Sequence, residues 1–178
     1  MLYIFDFLAL VILFIITYQD FAFRAVTWIY FPVLAAICIF IRISLGCDKY
    51  SIFFDAVCNM LFVYFQLLGV YIYFIFKDGL KFNTFSTKIG SGDILFLIAC
   101  GFLFPFFQYI IFYISSLLFS LLIYFIISFA RKPAGCKTIP LAGLQSIYVS
   151  VWILLLMIGF NLFFYGEVWV TKLFGYEH

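Results

Sequence analysis

Apolar runs of about twenty residues follow one another along the chain, parted by short polar breaks, and nothing else in the sequence limits the fold so tightly. A hydrocarbon core about 30 Å thick takes roughly 20 helical residues to cross. Inside lipid the backbone must satisfy its own hydrogen bonds, which leaves helices or closed barrels. The runs lack the polar and apolar alternation of barrel strands, so a barrel is excluded. With 68% of its 178 residues hydrophobic and only 10% charged, the chain has more apolar surface than a soluble domain can hide. The fold expected is all-α: a polytopic membrane protein of about six transmembrane helices, forming a single domain over residues 1–178.

The runs place helices at roughly 2–19, 26–43, 52–76, 93–104, 107–129 and 144–165. The first run is expected to be a retained helix rather than a signal peptide. It has no basic n-region, carries Asp6, and is followed by no small-residue cleavage pattern. Pro32 is expected to kink the second helix. Asp55, Asn59 and Gln66, polar residues within the third run, are expected to hydrogen-bond between helices. Lys77 to Gly92 is the longest polar stretch, and the tail from Gly166 is expected at the interface with Trp169 as an anchor.

Six spans put loops 1, 3 and 5 on one side. They carry seven basic residues, Arg24, Lys77, Lys81, Lys88, Arg131, Lys132 and Lys137, against three opposite, Arg42, Lys49 and Lys172. By the positive-inside rule the termini face outward, and Asp20, Asp93 and the loop containing Pro140 face the cytoplasm. These lysines and arginines are read first as topology determinants and anionic-lipid contacts. The net charge of +2 gives no footprint for nucleic acid.

Cys38, Cys47, Cys58, Cys100 and Cys136 are scattered singly, and His178 is the only histidine. That set supplies no structural zinc site, and the cysteines read as small apolar residues. With only His178, at the last position, and no other histidine available to activate a serine or cysteine, nucleophilic catalysis fares badly. No metal and no cofactor is expected.

Two acids stand out. Asp93 opens the fourth run in Lys88-Ile-Gly90-Ser91-Gly92-Asp93, where flanking glycines are expected to let the backbone turn and approach a partner closely. Asp20 follows the first run. Ionisable residues at membrane depth are costly, which makes such an acid a functional candidate. Two carboxyls within hydrogen-bonding reach do not both ionise easily. One then draws a proton from water while the other, protonated, polarises a peptide carbonyl, the division of labour in aspartic proteolysis.

Gly90-Ser91-Gly92-Asp93 at a helix start, with Asp20-Phe21-Ala22-Phe23-Arg24-Ala25-Val26 after the first helix, resembles the membrane aspartic proteases of the GxGD class, and most closely the prepilin and preflagellin peptidases. Ile139-Pro140-Leu141-Ala142-Gly143 resembles the Ile-Pro turn before that family's last helix, so the likeness runs from the first helix to the sixth. The resemblance implies Asp20 and Asp93 as the catalytic pair, with Gly90, Ser91, Gly92, Arg24 and Pro140 in substrate binding or support. It implies cleavage of a type IV pilin-like precursor at the cytoplasmic membrane face, after a short basic leader and before a hydrophobic helix. The substrate's helix would lie in the bilayer and its leader in water. Leu95 stands where many relatives carry lysine, so no charge is assigned to that position. The Cys-x-x-Cys region of the long bacterial forms is not found in this sequence, so N-methyltransferase activity is not expected.

Taken alone, Gly-Ser-Gly-Asp is also what a loop with an aspartate N-cap looks like, and Asp20 reads as a polar stop paired with Arg24. The rivals from other classes are a small proton-coupled transporter using the same two aspartates and a structural membrane subunit.

Overall fold

The computed structural model describes residues 2–78, 90–130 and 141–157. Among them the chain is all-helical, with α1 Leu2–Phe23, α2 Tyr30–Ser44, α3 Lys49–Asp78, α4 Ser91–Cys100, α5 Phe106–Ala130 and α6 Leu141–Met157. Three helices are long and apolar enough to cross a membrane, within Tyr3–Phe23, Lys49–Phe76 and Phe106–Ile126. The other three are shorter than the expected spans. At 1.5 Å per residue, the 10 residues of α4 cover only about 15 Å, half of a hydrocarbon core. Trp169, Cys136, Pro140 and most of the Lys77 to Gly92 stretch lie outside the described residues.

The boundaries shift in ways that matter. α1 runs on through Phe23, so Asp20 belongs to its last turn and not to a loop beyond it. α6 begins at Leu141, before the expected Leu144, which makes Ala142 and Gly143 first-turn residues. α2 starts at Tyr30, and this removes the reason for a kink at Pro32. In the first turn of a helix the missing N–H has no intrahelical partner to lose.

α1 buries one stripe, Asp6, Ala9, Leu13, Ile16 and Asp20, at the three- and four-residue spacing of a single helix face. Against it lies α6, antiparallel: Asp20 is hydrogen-bonded to Gly143, and one turn lower Thr17 Oγ1 meets Ser146 Oγ at 2.6 Å. α2 also packs on α1, where Phe5 stacks on Phe40 with centroids 5.3 Å apart. α5 closes on α6 through aromatic contacts of Tyr148 with Phe112 and Phe119.

The turn from α4 to α5 sits among buried residues, where exposed backbone would be costly. Asn59 of α3 resolves this by donating Nδ2 to Gly101 O at 2.8 Å and Phe104 O at 2.9 Å. Tyr109 adds an O–H bond to Leu97 O at 2.9 Å. Of the three polar residues expected to bond between helices, Asn59 reaches the α4–α5 turn and Asp55 reaches Arg42 of α2, while no such bond of Gln66 is seen among the described residues. Cys38 and Cys100 are buried free thiols, consistent with small apolar packing.

Arg42 departs from its expected place as an outer-loop charge. It is 3% exposed, and its Nη2 pairs with Asp55 Oδ2 at 2.7 Å, tying α2 to α3. Removing one partner of a buried pair strands the other, whereas removing both does not. Arg42→Met is therefore expected to destabilise the protein by about 1–3 kcal/mol, because Asp55 keeps 19% exposure, and adding Asp55→Leu to recover most of that loss. Unfolding by SDS in mixed micelles of the two single variants and the double variant measures it.

Candidate active site

An α-helix begins with N–H groups that have no partner inside the helix, and its N-terminus carries partial positive charge. In α6 two successive groups of this kind are used by acids from two other helices. Ala142 N–H donates to Asp93 Oδ1 at 2.9 Å, and Gly143 N–H donates to Asp20 Oδ2 at 2.5 Å. Consecutive Cα atoms are about 3.8 Å apart, so carboxyls held by consecutive amides are neighbours within several ångströms. The charge of Asp20 acts directly on Asp93.

Asp20 reaches this point from the last turn of α1, at the end of its buried stripe, and is 9% exposed. Arg24 closes that helix. Its N–H bonds to Asp20 O at 3.1 Å, and its backbone turns left-handed at φ 53. The Arg24 guanidinium acts electrostatically on Asp20 while its side chain stays exposed. The segment is tied back by Thr27 N–H to Gln19 Oε1 at 3.0 Å.

Asp93 stands in the first turn of α4, whose N-cap is Gly90. It does not cap its own helix, since the carboxylate is given to α6. The glycines also act differently from expectation. Gly90 has φ −68 and ψ 124, a conformation open to any residue, and among the described glycines only Gly46 has a positive φ. What Gly90 supplies is space: a Cβ there would lie 2.8 Å from Asp93 Oδ2. Gly92 is less constrained, with Phe31 Cζ the nearest atom to an added Cβ at 3.9 Å. Ser91 is exposed.

Asp20 and Asp93 therefore come together, with Gly90 beside them and Arg24 at the end of the same helix as Asp20. Pro140 lies outside the described residues. Sequence reasoning misses the two residues that join the acids, because Ala142 and Gly143 act through main-chain N–H groups that no side-chain pattern advertises. It also misses Gln145, one turn further along α6 and 0% exposed. A polar amide five residues after Pro140 in the sequence, inside an apolar run, is the signal that could have found it.

Chemically, two adjacent carboxyls in a sheltered setting repel when both are charged and are relieved by sharing one proton. Such a unit both accepts a proton and donates one, and its titration belongs to the pair. Comparison with protein-family models, with curated proteins and with solved structures finds no match to this chain.

Gly143 has little room for any side chain. An added Cβ would stand 2.9 Å from Phe21 Cε2 and 3.0 Å from Asp20 Oδ2. At an open helical site glycine to alanine gains about 1 kcal/mol. Here Gly143→Ala is expected to have the opposite sign and lower the unfolding free energy, because the methyl displaces the Asp20 carboxylate from its donor. Phe21→Ala in the same chain is expected to leave that loss in place, since the contact with Oδ2 remains. Unfolding midpoints of both variants in micelles test this.

Proposed function

We propose that the protein is a membrane-embedded aspartic endopeptidase that removes the basic leader of type IV pilin-like precursors at the cytoplasmic face. The observation that carries this reading is the fixing of Asp20 and Asp93 by the successive N–H groups of Gly143 and Ala142. Those bonds use one oxygen of each acid. Asp20 Oδ1 and Asp93 Oδ2 are left to handle water and the scissile carbonyl. The ionised member takes a proton from water, the protonated member hydrogen-bonds to the carbonyl oxygen, and the resulting hydroxide equivalent adds to the carbonyl carbon. Collapse of the tetrahedral intermediate then passes a proton to the leaving amine and restores the pair.

The substrate class follows from the resemblance of Asp20 to Val26 and of Gly90 to Asp93 to the prepilin and preflagellin peptidases. A precursor with an apolar helix and a soluble leader would offer its scissile bond at the level where those helices end. Sidedness rests on the basic residues. In a six-span arrangement they put seven on the side of Asp20 and Asp93 against Arg42, Lys49 and Lys172 opposite.

A proton-coupled transporter on the same two acids calls for a site near the midplane, reached in turn from both sides. Asp20 in the last turn of α1 and Asp93 in the first turn of α4 suit an interfacial site better.

Co-expression with a pilin-like precursor separates the readings. Asp20→Asn and Asp93→Asn are each expected to reduce leader removal to background while the protein still inserts into the membrane. Continued processing by either variant would refute a shared dyad, and intact precursor alongside the wild-type chain would refute the peptidase reading.

A further inference from the structure

Gln145 presents an unusual deficit. It is 0% exposed, and neither Oε1 nor Nε2 has a hydrogen-bond partner. Arg42 and Asn59, also buried, use at least part of their capacity: Arg42 through Nη2 on Asp55, Asn59 through Nδ2 on two carbonyls. An amide buried without partners is costly, and the cost persists in a folded state when another state uses the group.

Its position says where that use lies. Gln145 follows Ala142 by three residues, so the two share a face of α6. Helical side chains lean toward the N-terminus, so a side chain at 145 covers the preceding turn, the one whose Ala142 N–H holds Asp93. Tyr148, one turn on, gives its O–H to Ser115 at 2.8 Å.

The chemistry of the deficit selects the ligand. One donor and one acceptor stand side by side on a rigid plane. A cation or proton would satisfy Oε1 alone, and an anion Nε2 alone. A residue of an extended peptide satisfies both, since its C=O and N–H point to the same side.

We propose that Gln145 binds the substrate's main chain beside the scissile bond, Nε2 donating to a carbonyl oxygen and Oε1 accepting the N–H of the same residue. This rests on the peptidase reading and adds the part of the peptide that is recognised: backbone, independent of side-chain sequence. The carboxamide is enclosed in the state described, so the peptide reaches it by rearrangement of the side chains over Gln145, with the Ala142 and Gly143 N–H groups kept on the two acids.

The test uses the full chain in detergent micelles and synthetic peptides with a basic, glycine-ending leader followed by an apolar stretch. Each peptide carries one backbone N-methyl at a different position around the cleavage point, which removes one N–H donor. Fluorescence anisotropy reads binding to Asp93→Asn protein with Gln145 intact or with Gln145→Leu added, and the wild-type chain is assayed for cleavage in parallel. Gln145→Leu is expected to weaken the unmodified peptide by about tenfold or more. One N-methyl position is expected to weaken binding by about tenfold with Gln145 present and to cause no further loss in the Gln145→Leu protein. A residue serving packing alone would move the unfolding midpoint without this coupling. Gln145→Met repeats the comparison should the leucine variant fail to fold.

Equal N-methyl losses with and without Gln145, or full-strength binding by both variants, overturns the contact while cleavage by the wild-type chain leaves the peptidase reading standing. Coupled binding without cleavage overturns the peptidase reading and keeps the contact. Failure of the wild-type chain to bind or cleave any of the peptides overturns both.

Discussion

The fold depends on an electrostatic balance at one point, the start of α6. Two full negative charges on neighbouring carboxyls repel by a few kcal/mol at an effective dielectric of about 20. Two hydrogen bonds to charged acceptors return about 1.5–3 kcal/mol each, and the N-terminal end of the helix dipole favours anions there. The terms are comparable, so α6 can hold the pair, and a shared proton tilts the balance further. Asp20 belongs to α1 and Asp93 to α4, which makes the first turn of α6 the joint that sets three helices in register. The Thr17 to Ser146 contact continues that register one turn down.

What can be read from the chain in advance is whatever depends on apolar patterning or on side chains of unusual cost. The long runs that become α1, α3 and α5 fall into this class, as do Asp20 and Asp93, whose expense announces itself. The helix ends are harder. Val26 to Ile29 are apolar enough to read as helix yet form the approach to α2, because hydrophobicity marks burial and not backbone hydrogen bonding. The start of α6 is hidden for a related reason. Leu141-Ala142-Gly143 carries no capping side chain of its own, because its caps come from α1 and α4, and those partners become neighbours only after folding. Gly90 stands out in the sequence but matters for a different cause: the glycine makes room for Asp93 and needs no special backbone angle.

Arg42 shows the limit of counting charges. An arginine at the end of an apolar run looks like an interfacial anchor, and only the position of Asp55 on the next helix turns it into a buried ion pair. Asn59 does for the main chain what Asp55 does for Arg42, meeting two carbonyls at the end of the short α4. Together they keep α2, α3 and α4 aligned at the end of the protein away from the two acids.

The constraint at the start of α6 also explains why the acids stand at helix ends. Within an α-helix every N–H past the first turn is committed to the carbonyl four residues before it, so the middle of a helix has none to give a carboxylate. A helical protein that uses its own backbone to bring two acids together must place them at a helix N-terminus. Asp20 and Asp93 can meet that terminus only if α1 ends and α4 begins at the same level, which alternation of helix direction provides. A site built in this way belongs where helices start and stop, and in a bilayer that is where water, the second reactant of any hydrolysis, becomes available.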